Sequence, residues 1–106
     1  MPRTHDCRDV PVARSFLART AGLLGRPADA SLFIPRCASI HTWFMAHAID
    51  VIFLDDVHVV VAIHHSLAPW RIAHGGARAR DVVELPAGAA RQRGFEVGDV
   101  VSLAAT

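Results

Sequence analysis

Apolar residues along the chain follow two different rhythms. From Val12 to Leu24, the residues Val12, Phe16, Leu17, Leu23 and Leu24 approximate helical spacing, and Gly25 followed by Pro27 is a stop signal. The spacing predicts a helix over this segment. After Asp29 the rhythm changes to short runs rich in Val, Ile and Phe, separated by turn formers. These runs are SLFI (31–34), ASIHTWFM (38–45), DVIFL (50–54), VHVVVAI (57–63), DVVEL (81–85) and DVVSL (99–103), and each reads as a strand. Only Pro86 to Gly94 offers a second helical turn. Six strands behind one leading helix predict a mainly β fold, a sandwich or barrel, formed by residues 1–106 as a single domain. No long crossover helix is expected between strands to make a parallel sheet.

Alternation within the runs assigns faces. In Val57 to Ile63 the odd positions Val57, Val59, Val61 and Ile63 are expected on the core side. The even positions His58, Val60, Ala62 and His64 then face outward or toward a second layer. In Ile40 to His47 bulky apolar groups fall on both sides, which predicts a central strand or one covering a pocket mouth.

Composition narrows the function classes. Of 106 residues, 52% are hydrophobic, enough for one compact core. The longest stretches without a charge, Cys37–Ile49 and Val57–Trp70, fall below the roughly 18 apolar residues of a membrane helix. The first nine residues, MPRTHDCRD, lack the apolar centre of a secretory signal, so a cytoplasmic protein without a membrane partner is expected. The net charge of +1 hides an uneven distribution. Residues 1–36 hold six Arg and three Asp, residues 37–70 hold no Arg, three Asp and five His, and residues 71–106 return to balance. No segment forms the dense basic stripe of a nucleic-acid binder, and no nucleic-acid partner is expected.

The order of motifs resembles the DUF192 family, bacterial and archaeal domains of unknown function. The resemblance is carried by ARTAGLLGR (18–26), by the IHTWFM stretch with Ile40, His41, Thr42, Phe44 and Met45, and by Ile49, Asp50, Phe53, Leu54 and Asp55. Leu67, Pro69, Glu84 to Gly88, Gly98 and Asp99 continue it over nearly the full length. Ala48 departs from a common Pro, and the turn after Asp55 lacks the usual Gly. The resemblance implies a jelly-roll-like β-sandwich with an N-terminal helix, and it brings no activity.

Candidate chemistry comes from polar residues in apolar surroundings. Five His and three Asp within residues 37–70 are the ligand types of zinc or iron. On straight strands, however, His41 and His47 lie about 20 Å apart, as do His58 and His64, so neither pair can clasp one ion. His41 is expected to be partly buried and hydrogen-bonded through one ring nitrogen. Cys37 and His41, about 13 Å apart if extended, are too distant for a thiolate–imidazole pair. Cys7 and Cys37 are expected as thiols, with Cys37 in the core. Asp50 and Glu84 interrupt apolar runs, and a buried charge needs a partner. Arg19 and Arg26, at the border of the leading helix, are the expected partners in an ion-pair network. The Pro86–Gly88 turn could place a helix N-terminus toward an anion, or simply use Gly88 for backbone freedom.

These readings converge on a small non-enzymatic binding or accessory module. Its expected polar patch contains Arg19, Arg26, His41, Thr42, Trp43, Asp50, Trp70 and Glu84. It has no catalytic set, metal site or cofactor, and its partner would be a small molecule or a protein. The alternative is a metal-dependent or acid–base hydrolase drawing His41, Asp50, Asp55 and His58 together across strands.

Overall fold

The computed structural model describes residues 1–15, 18 and 21–104. Among the described residues, eight strands follow one another: β1 (Thr4–Cys7), β2 (Leu32–Ile34), β3 (Ser39–His41), β4 (Ile49–Leu54), β5 (Val60–Leu67), β6 (Ile72–His74), β7 (Asp81–Pro86) and β8 (Val100–Leu103). A short helix, Ala89–Gln92, lies between β7 and β8. The central sheet is antiparallel with order β2-β7-β4-β5, and β3–β6 and β1–β8 form two-stranded ribbons. The fold is mainly β, and the sheets do not close into a barrel.

Two core clusters explain why β4 and β7 are apolar almost throughout. Val51, Phe53 and Val82 pack on one face of the central sheet with Ile40 of β3 and Ala73 of β6. Ile52, Leu54, Val83 and Leu85 pack on the other with Cys7 of β1, Val101 of β8 and Ala90 of the short helix. All six residues of β4 are buried, as expected for a strand covered on both sides. Burying one such Ile, Leu or Phe side chain contributes roughly 1.5–3 kcal/mol.

Several sequence expectations are corrected. β1 pairs with β8 in parallel. The two strands come from opposite ends of the chain, so nearly the whole domain connects them and no crossover helix is required. Of the helix expected over Val12–Leu24, Ala18 and Ala21 are helical, whereas Val12 bridges Phe33 in parallel and Leu23 and Leu24 lie in a turn. Phe16, Leu17, Arg19 and Thr20 lie outside the described residues. The strand expected over Ala38–Met45 ends at His41, because Phe44 turns with φ 66°.

The phase of β5 also differs. The Asp55 carboxylate accepts the Val57 and Val59 N–H groups at 3.0 and 2.9 Å, winding residues 55–59 into a turn with His58 at φ 63°. The strand therefore starts at Val60, which is buried, and leaves Val57 exposed.

Candidate functional site

Antiparallel register separates the two embedded carboxylates. Asp50 pairs with Leu85 and Val51 with Glu84, and residues paired across a ladder share a face. Asp50 thus projects to the face of Ile52 and Leu85, and Glu84 to the face of Val51 and Val82. The single polar patch expected to contain both does not form.

Asp50 is fully buried, and both of its oxygens accept backbone donors. Oδ1 accepts Ser66 N–H at 2.7 Å and Oδ2 accepts Ala90 N–H at 2.8 Å. The helix start considered as an anion site is thus held by the protein's own carboxylate. Pro86 is the last residue of β7, paired with Ile49, so it does not begin the helix. Gly88 provides the reversal with φ 89°, a conformation that glycine adopts without steric cost.

Glu84 has a different setting. It is 3% exposed, and its Oε1 accepts Leu23 N–H at 3.2 Å. It lines a cavity of about 180 Å³ with Cys37, Ser39 and His41, between apolar walls that include Ile40 and Met45. Burial pushes the Glu84 carboxyl up from 4.5 to about 7, with the Leu23 N–H opposing the rise. Gly22 lets the turn approach this closely: a Cβ there would stand 2.8 Å from Glu84 Oε1, and its φ is +54°.

The loops next to the cavity carry exposed aromatic rings on a constrained backbone. Thr42 is fully buried. Its hydroxyl donates to Ala68 O at 2.6 Å and accepts Arg71 N–H at 2.9 Å. Thr42 N–H donates to Arg71 O, and Thr42 O accepts Trp70 N–H. This clamp joins the two loops and leaves Trp43 44% and Trp70 56% exposed. Trp43 stacks on His41 at 4.8 Å between ring centroids, and Trp70 lies against Phe44 at 4.7 Å. Phe44 and Trp70 both have positive φ, 66° and 64°, which is costly for bulky residues and found at sites that need a fixed display.

The remaining sequence candidates scatter. His41 is exposed rather than partly buried, and its Nδ1 accepts Trp43 N–H at 3.3 Å. Arg26 is exposed and does not line the cavity, while Arg19 lies outside the described residues. Among the described residues no cation forms a salt bridge with Asp50 or Glu84; backbone N–H groups stand where Arg26 was expected. Cys37 is half-buried at the cavity, its thiol donating to Ser39 O at 3.0 Å, whereas Cys7 is the fully buried thiol. Asp55 serves the β4–β5 turn, and His58 in that turn lies 3.6 Å from Asp81. Of the four residues of the hydrolase alternative, Asp55 and His58 share this turn, whereas Asp50 is engaged by Ser66 and Ala90 and His41 lies at the cavity. Among the described residues no group of three or more His, Cys, Asp or Glu is placed to hold a metal ion, and no helix is long and apolar enough to cross a membrane.

One buried pair was not anticipated. His5 Nε2 meets Asp99 Oδ2 at 2.7 Å, and Asp99 also accepts the N–H groups of Arg3 and Glu96. Chiefly through the His5 hydrogen bond, the Asp99 carboxyl is held down at about 2. His5 stacks on Phe95 at 3.8 Å. The available signal was the GD turn before β8, but nothing local linked it to a histidine 94 positions away.

Comparison with known proteins follows the same architecture. The DUF192 family model, described as "Uncharacterized ACR", matches residues 2–103. The UPF0127 protein PH1112 of Pyrococcus horikoshii is 41% identical over 99 residues, covering 88% of this chain and 85% of the relative. A protein of unknown function from Novosphingobium aromaticivorans DSM 12444 superposes with TM-score 0.73 at 20% identity, covering 84% of this chain and 70% of that one. A protein from Sinorhizobium meliloti 1021, described as a candidate transcription regulator, gives TM-score 0.76 at 22% identity, covering 86% and 78%. At these identities the structural likeness shows the fold.

Proposed function

The chain belongs to the DUF192 family, and from that premise and the geometry above we propose that it is a small non-enzymatic binding module whose ligand enters the cavity over Glu84. One observation carries the reading: a carboxyl nearly removed from water, with one backbone N–H on Oε1 among the described residues, faces a cavity and not a packed wall. Buried polar groups that only complete a fold are normally saturated by their surroundings, as Asp50 is. Pockets that bind small molecules combine apolar walls with a few converging polar groups, and Glu84, His41, Ser39 and Cys37 converge here. At about 180 Å³ the cavity suits a ligand of few heavy atoms, below the 300–1,000 Å³ range typical of larger ligands. The Thr42 clamp supports the reading by fixing the adjoining loops, which lowers the ordering cost of binding.

A fragment screen followed by amide shifts in nitrogen-15 spectra tests it. Saturable shifts are expected at Gly22, Leu23, Cys37 and Ile40. Shifts confined to the open groove beside Asp55, Val61 and Val97, or none with any fragment, would overturn the assignment.

A further inference from the structure

We propose that the ligand is a small organic cation, a primary ammonium on a short apolar stem, with the Glu84 carboxylate as its counter-ion. The inference rests on the cavity reading above and names the ligand chemistry. Three observations point to it. First, the described lining contains a carboxyl, a thiol and an imidazole but no guanidinium, and the chain contains no Lys. An anionic ligand would face Glu84 with no opposing positive charge from those residues except a protonated His41.

Second, the carboxylates differ in donor supply. Asp50 accepts two backbone N–H groups. Asp99 accepts two and a histidine N–H. Among the described residues, Glu84 accepts the single Leu23 N–H. An ammonium brings three donors and a full positive charge, which supplies what the ionised form of Glu84 lacks. A neutral alcohol brings one donor and no charge.

Third, the walls around this one charge are aliphatic: Leu23, Ile34, Ile40, Ile49 and the thioether of Met45. They match a methylene stem and not a polar ring. His41, which lines the cavity, is held in place by its stack on the half-exposed Trp43.

The test uses the whole chain and three probes of equal length, n-butylamine, n-butanol and butyrate, at pH 8 and matched ionic strength. The amides of Gly22 and Leu23 and the Glu84 carboxyl carbon are followed by NMR. Butylamine is expected to saturate and to lower the Glu84 titration midpoint by at least one pH unit, with butanol and butyrate at least ten-fold weaker. At pH 5.5, where Glu84 is protonated, amine affinity is expected to fall at least ten-fold. Glu84→Gln, which keeps shape and folding, is expected to cost the amine at least ten-fold and leave butanol unchanged.

Equal affinity for butanol and butylamine, or an unchanged amine affinity in Glu84→Gln, would overturn the cation assignment while leaving the cavity reading standing. Failure of all three probes to shift Gly22 and Leu23 would overturn both. Comparing butylamine with N-acetyl-lysine amide then assigns the source. Tighter binding of the lysyl compound identifies a protein side chain, and tighter binding of butylamine a free amine.

Discussion

The two faces of the central sheet treat a buried carboxylate in opposite ways. On the face of β1, β8 and the short helix, Asp50 has an N–H donor for each oxygen. On the face of β3 and β6, Glu84 has, among the described residues, one N–H and a cavity. The first arrangement joins three parts of the chain: the start of β4, the end of β5 and the start of the helix. The second leaves a group whose ionised form is undersupplied, and its pKa rises accordingly. Depth alone therefore does not distinguish a structural carboxylate from one available to a ligand; the number of donors pointed at it does.

The strongest way to break this contrast is Asp50→Ala. It would leave the Ser66 and Ala90 N–H groups buried without acceptors and create a void, so a loss of about 3 to 5 kcal/mol is expected. Urea unfolding measures it, and a near-neutral result would remove Asp50 from its structural role.

Glu84→Gln should act in the other direction. Because Glu84 binds its proton more tightly in the folded chain than the ordinary value of 4.5, the folded state gains from that proton below about 4.5. This gain is lost as pH rises through about 7, a change on the order of 3 kcal/mol. The amide removes the ionisation, so the variant should be more stable than the parent at pH 8 by about 1 to 3 kcal/mol and should match it near pH 4. Unfolding curves across pH 4 to 8 check this, and parallel curves for parent and variant would count against the raised pKa.

A smaller effect is expected from Gly22→Ala. A side chain at a positive φ costs roughly 1 to 2 kcal/mol, and the added Cβ presses on Glu84 Oε1. Thermal unfolding reads the cost, and unchanged stability would argue against the close approach. Trp43→Ala should change stability least, within about 0.5 kcal/mol, because the ring is substantially exposed. A large drop in melting temperature would make Trp43 structural.

Much of the sheet was legible in the sequence, and the site was legible in part. β4 and β7 announce themselves as runs rich in Val, Ile and Leu because they are covered on both faces. Glu84 and Asp50 stood out in those runs for the same reason, and both are buried. That they face apart was not readable from either strand alone. It follows from the register that opposes Val51 to Glu84, which depends on turns elsewhere in the chain. β1 escaped because THDC alternates two polar residues with a histidine and a cysteine, both buried through partners at the far end of the chain. The turn after His41 and the phase shift before Val60 escaped for a shared reason. Thr42 and Asp55 make these bends with side-chain hydrogen bonds, where Gly or Pro would have signalled them.

The most direct measurement is a carbon-13 titration of the Glu84 side-chain carboxyl in the unliganded protein. A midpoint near 7, with Asp99 still ionised down to about pH 2, is the expected result. A Glu84 midpoint at or below 4.5 would mean that donors or cations already satisfy it, contradicting the distinction between the two faces.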